Sequence, residues 1–162
     1  MSYCSFIATN FEMPEVESRV KSITAKEAIE LGVKPNEFVP WENIDPDAQI
    51  LYAENEDDLN ELVVTKDTYY NVSGYTSYPF TYEVTFGYSE SRLNQLLEYL
   101  KENIKEDQII ELWRVWIGHD NNDLNIPYSR YSFGELTLDQ LLQMYDRNHE
   151  QYKEEYCIVL ER

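Results

Sequence analysis

The sequence is poor in cysteine, glycine and basic side chains, and it holds no apolar run near the ~18–20 residues that a membrane-crossing helix needs. Its two cysteines, Cys4 and Cys157, are too few for a disulfide-stapled miniature scaffold. Both lie in apolar surroundings, where thiols of a reducing compartment serve as small buried hydrophobes. The opening MSYCSFIATNFEMPEVE has neither the basic start nor the long apolar stretch of a secretory signal, so the expected location is cytoplasmic. Five glycines and six prolines occur singly, which excludes a flexible linker, a low-complexity tract or a repeat array. The expectation is one domain over residues 1–162, long enough to bury a single core.

Lysine and arginine number 13 against 31 aspartates and glutamates, a formal net charge of −18. A field of one sign repels phosphate backbones and anionic lipid headgroups, so neither nucleic acid nor membrane is an expected partner. The same field draws a basic protein inward and speeds its encounter. Excess carboxylates also keep a protein soluble, and composition alone does not separate the two roles. Disorder is excluded by the 43% hydrophobic and 14% aromatic content, far more apolar surface than an unfolded acidic chain carries.

Along the chain, β-formers over residues 3–9 predict a first strand, ended by the break at 10–14. Thr24 three residues before Glu27 predicts a capping box and a short helix, stopped by Gly32 in a left-handed conformation and by Pro35. Residues 48–53, 62–65 and 81–88 predict strands; in the last, Tyr82, Val84 and Phe86 alternate with Glu83, Thr85 and Gly87. Leu93, Leu96, Leu97, Leu100 and Ile104 recur at helical spacing over about 91–104. Residues 109–117 predict a strand near the middle of the sheet, with Trp113, Val115 and Ile117 on one side and Leu112 and Trp116 on the other. Thr137 with Gln140 opens a second capped helix, and residues 156–160 predict a closing strand. Strands outnumber helices without alternating with them, which predicts an α+β fold: a mostly antiparallel sheet with two or three helices packed on it.

Catalysis has little to build on. Only His119 and His149 can serve as imidazole bases, and neither cysteine is near them in sequence. No G-x-S-x-G elbow is present, since Ser73 before Gly74 lacks the preceding glycine. No residue is therefore assigned as catalytic. The run 120–125 fails as an EF-hand, which needs an oxygen ligand at Leu124, a glycine at Asn125 and a glutamate at Tyr131. Glu54, Glu56, Asp57, Asp58 and Glu61 form an acidic run without ion-enclosing spacing, and no glycine-rich loop precedes a helix to cradle phosphate. No metal or cofactor is expected.

Two surfaces remain. Residues 68–82, TYYNVSGYTSYPFTY, interleave Tyr69, Tyr70, Tyr75, Tyr78 and Tyr82 with small polar residues, the composition favoured by recognition loops and equally that of an aromatic segment flanking a core. With Glu54, Glu56, Asp57 and Asp58 they are the candidate binding residues of a non-enzymatic acidic protein that engages a basic partner. Small size and acidity are shared by many immunity proteins and nucleic-acid mimics. The alternative is a small enzyme or ligand binder with a cleft near Trp116, His119 and Asp120, joined by Glu83 or Arg114, because a central strand delivers the His-Asp pair to a loop. Self-association through the tyrosine-rich edge is the third possibility.

Overall fold

The structure, a computed structural model, describes residues 3–117 and 125–162. In chain order its elements are β1 (Tyr3–Thr9), β2 (Lys21–Thr24), α1 (Ala25–Glu30), β3 (Gln49–Tyr52), β4 (Val63–Lys66) and β5 (Phe80–Thr85), followed by α2 (Glu90–Asn103), β6 (Ile109–Trp116), β7 (Tyr128–Ser132), α3 (Leu138–Tyr145) and β8 (Tyr156–Glu161). The fold is α+β, with a six-stranded sheet of order β4-β5-β1-β6-β8-β7 and a separate two-stranded sheet of β2 and β3. Every pairing in the large sheet is antiparallel except that of β7 with β8. The chain divides into two compact units, Met1–Glu17 with Leu62–Arg162, and the intervening Ser18–Glu61.

In the larger unit β1 and β6 lie at the centre, paired from Tyr3↔Trp116 to Thr9↔Ile110. Alternation along each strand sends its apolar side chains to both faces. Ile7, Leu112, Ile110, Tyr82 and Val84 face one way and meet α2 and α3. Cys4, Phe6, Ala8 and Val115 face the other way, into a second and smaller core. Ser89 caps α2 by accepting from the Arg92 amide at 3.2 Å, and the helix buries Leu93, Leu96, Tyr99 and Leu100, the stripe its sequence spacing specifies. The Thr137 and Gln140 capping box opens α3, which buries Leu141 and Met144. Each fully buried aliphatic of this kind contributes about 1.5–3 kcal/mol relative to exposure. Strand β7 went unread in the sequence because Tyr128, Ser129, Arg130, Tyr131 and Ser132 carry no strong apolar alternation; parallel pairing with β8 supplies what propensity does not.

The smaller unit begins and ends at a clamp in the larger one. Val16 and Val64 exchange both backbone hydrogen bonds, at 2.9 and 3.0 Å. Within Ser18–Glu61, Thr24 and Glu27 form the expected capping box: the Glu27 amide donates to the Thr24 hydroxyl at 3.2 Å and the Thr24 amide to the Glu27 carboxylate at 2.7 Å. Gly32, at φ 75, ends the helix in the left-handed region. Strand β2, which carries no sequence signal beyond Ile23, exists because β3 pairs with it from Lys21↔Tyr52 to Thr24↔Gln49. Ala25 and Ala28 are the fully buried side chains of this unit.

Leu96, completely buried against the sheet, reports on the main core. Leu96→Ala is expected to lower the unfolding free energy by about 2–5 kcal/mol, read as a lower urea midpoint at unchanged m-value.

Candidate functional site

The tyrosine-rich segment is largely a cover for the second core. Val72 is buried, and Tyr70, Tyr75 and Tyr78 are half-buried against Phe6, Val115 and Trp113. Phe6 and Trp113 stack at 6.0 Å with planes 8° apart, and Tyr75 meets both edge-on. Short polar turns hold the cover in shape: the Ser73 amide donates to Asn71 Oδ1 at 3.0 Å, the Tyr78 amide to Thr76 Oγ1 at 3.2 Å and the Tyr75 amide to the Val72 carbonyl at 3.0 Å. Tyr69 alone of the five candidate tyrosines stands out, 86% exposed and edge-on to Tyr70 at 5.0 Å. Tyr82 is removed from the candidate contact surface. Strand alternation turns it to the helix side, 1% exposed, where its hydroxyl accepts the Met13 amide at 2.9 Å.

The acidic run 54–58 lies in the smaller unit, with Glu56–Asn60 forming a 3-10 turn. Glu54, Glu56 and Asp57 are exposed. Asp58 is not: its side chain is 9% exposed, paired with Arg19 at 3.4 Å, and so serves the unit's own structure. The same unit leaves Ile29, Leu31, Phe38, Val39, Leu51 and Leu59 exposed, six of the nine large apolar side chains that stay exposed among the described residues.

A cleft of about 280 Å³ sits where two neighbouring strands part. β1 pairs with β5 only from Phe6↔Glu83 to Thr9↔Phe80, although β1 continues beside β6 to Tyr3 and β5 beside β4 to Thr85. Tyr3, Cys4 and Ser5 form one wall of this fork. Glu83, Val84 and Thr85, continued by Phe86 and Tyr88, form the other. Arg114 from β6 and Tyr145 at the end of α3 reach into it, and Tyr70 joins from the cover.

Arg114 is firmly held. Its Nη1 donates to the Met144 carbonyl and, at 2.8 Å, to the Tyr152 hydroxyl. The guanidinium carbon lies 4.6 Å from the Tyr3 ring centroid, 5.5 Å from that of Tyr145 and 5.7 Å from that of Tyr152, a three-sided aromatic cradle. Among the described residues no carboxylate lies within ion-pair distance of it. Glu83 accepts the Tyr69 amide at 2.9 Å through one carboxylate oxygen and likewise meets no cation within ion-pair distance. Desolvation, reinforced by the Glu83 charge, pushes the Cys4 thiol up to about 11, and desolvation pushes the Tyr145 hydroxyl up to about 12. Both groups are therefore neutral near pH 7, which suits Tyr145 to its hydrogen bond with Ser5 and leaves Cys4 a poor nucleophile.

Trp116 ends β6 beside a second cleft of about 220 Å³ that it shares with Tyr3, Glu154 and Glu155. Its ring meets Tyr3 edge-on at 4.6 Å, and its amide donates to Glu155 at 2.8 Å. His119 and Asp120, the other members of the alternative cleft, lie outside the described residues, as do residues 120–124 of the rejected calcium loop. His149 accompanies Asp139 at 3.0 Å and holds that carboxyl below its ordinary range. Among the described residues no group of three or more His, Cys, Asp or Glu side chains could hold a metal ion.

The structure thus joins one residue of the tyrosine segment, Tyr70, to Glu83 and Arg114, all in the larger unit, while the acidic run belongs to the other unit. Ser5 and Tyr145 escaped the sequence reading, because only the register at which β1 and β5 part company brings them together. No protein-family model, curated protein or solved structure matches the chain.

Two measurements follow from this chemistry. Cys4 and Cys157 are buried free thiols whose burial favours the protonated form, so a disulfide-exchange reagent at pH 7–8 is expected to label them slowly in the native chain and rapidly in urea. Tyr145 keeps its proton more strongly folded than unfolded, so its stabilisation is complete below about pH 10, the ordinary tyrosine value, and is lost as pH rises toward about 12. Urea midpoints across that range should fall, and less steeply in Tyr145→Phe.

Proposed function

We propose that the chain is a non-enzymatic binding protein whose acidic surface engages a basic protein partner, as an immunity protein or a nucleic-acid mimic does when it covers the cationic face of a nuclease or other nucleic-acid-binding protein. The observation that carries this reading is the make-up of Ser18–Glu61. This unit fully buries only two alanines and exposes six large apolar side chains, including Phe38 at 89% and Leu51 at 76%. It also holds eleven of the chain's acidic residues against four basic ones. A small unit that exposes six large apolar side chains and fully buries none gains from burial against something else. Carboxylates spread among those apolar groups set the sign of what that is.

The two features divide the work. Apolar contacts such as those of Phe38 and Leu51 supply affinity, while the −18 field accelerates the encounter and rejects anionic competitors. The same field argues against a second copy as the occupant, because each copy would bring −18 to the other. Tyr82 is buried and Tyr75 and Tyr78 are half-buried, which favours Ser18–Glu61 over the tyrosine-rich segment as the contact surface.

The test is capture of a partner on the immobilised chain, followed by affinity measurement with the purified partner between about 0.1 M and 1 M salt, over which the screening length falls from about 10 Å to about 3 Å. A basic partner is expected, with affinity at least about tenfold weaker in high salt and weakened again by the exposed-site double substitution Phe38→Ser, Leu51→Ser. Affinity indifferent to salt, or undiminished in the double variant, would overturn the proposal. Sedimentation of the chain alone distinguishes self-association, which would raise its mass with concentration.

A further inference from the structure

We propose that the fork between β1 and β5 is a binding site for a small aromatic zwitterion, of which a free aromatic α-amino acid is the type, with Arg114 receiving the carboxylate and Glu83 the ammonium group. The inference is independent of any protein partner.

Among the described residues, the Arg114 guanidinium uses only one of its nitrogens on the protein. Nη1 is occupied by the Met144 carbonyl and the Tyr152 hydroxyl, whereas Nε and Nη2 meet no acceptor among the described residues and are not sealed from solvent. Those two nitrogens form the edge of a guanidinium that binds a carboxylate through two parallel hydrogen bonds. Three tyrosine rings and a backbone carbonyl fix that edge in advance, so a ligand would lose little by ordering it. A half-buried cation without a counter-ion is costly, and an incoming carboxylate supplies one.

A bare anion fits less well. It would enter a cleft that also holds Glu83, on a protein whose net charge is −18, and both oppose it. A zwitterion carries no net charge, and its ammonium meets the Glu83 oxygen that the Tyr69 amide leaves unused. The remaining walls choose the body of the ligand. Tyr70, Phe86 and Tyr88 line it with aromatic rings, and a volume of about 280 Å³, just under the about 300 Å³ at which small-molecule sites start, restricts the ligand to a small one. Ser5 and Thr85 add hydroxyls, and the thiol of Cys4, protonated and buried, brings no covalent step.

Titration calorimetry of the intact chain with L-phenylalanine, L-tyrosine and L-tryptophan tests this. At least one is expected to bind saturably below about 10 mM. Phenylalanine amide and N-acetylphenylalanine each remove one charge without altering the protein, and each should bind about tenfold or more weakly, as should phenylacetate and glycine. Arg114→Lys, which keeps the charge and loses the two-pronged edge, should weaken binding by about tenfold in a chain that is still folded by circular dichroism, and Glu83→Gln, which keeps an acceptor for the Tyr69 amide, should weaken it likewise. The proposal is overturned if none of the three amino acids binds, or if phenylacetate, the amide or the N-acetyl derivative binds as tightly as the parent. It also fails if Arg114→Lys, folded by circular dichroism, retains full affinity.

Discussion

Everything in the larger unit hangs on the antiparallel ladder between β1 and β6, seven residue pairs from Tyr3↔Trp116 to Thr9↔Ile110. Because both strands are central, each must satisfy two cores at once. Ile7 and Leu112 commit one face to the helices, and Phe6, Trp113 and Val115 commit the other to the aromatic cover. A shift of register by a single residue would exchange the two faces of either strand and place Cys4 and Phe6 against α2 and α3. The near-parallel stack of Phe6 and Trp113 belongs to the same ladder, since the two residues are register partners.

The same ladder explains the cleft. β1 keeps β6 as its neighbour throughout but parts from β5 on the N-terminal side of Phe6, and side chains from four different elements line the resulting gap in place of a further hydrogen-bonded rung. Arg114 occupies the register position opposite Ser5, so the residue that enters the fork from below is chosen by the central pairing itself. Its guanidinium is then fastened by the last turn of α3 through Met144 and by Tyr152 beyond it. Strand register, helix end and following loop meet at this one side chain.

Much of this arrangement was legible in the sequence. The two capping boxes, the leucine stripe of α2, the two-sided character of β6 and the left-handed Gly32 each follow from local patterns, and local patterns decide local geometry. β2 and β7 were not legible because each is a strand by virtue of its partner and not of its own residues. The tyrosine-rich segment gave the composition of a recognition loop, yet packing uses most of its rings as a hydrophobic cover, and composition does not distinguish the two uses. Of the acidic run, Asp58 turned inward because Arg19 stands beside it, a pairing across a separation no local pattern encodes. Glu83 and Arg114 entered the sequence reading only as additions to a cleft at Trp116, His119 and Asp120; their meeting with Ser5 and Tyr145 depends on where a ladder stops.

The clamp between Val16 and Val64 gives the chain a modular seam. Ser18–Glu61 leaves the larger unit just after Val16 and returns just before Val64, so both crossings of the chain lie beside one bridge of two hydrogen bonds. With the two ends of the insert already held together by backbone hydrogen bonds, the entropic cost of closing a longer or shorter loop there changes only slowly with its length.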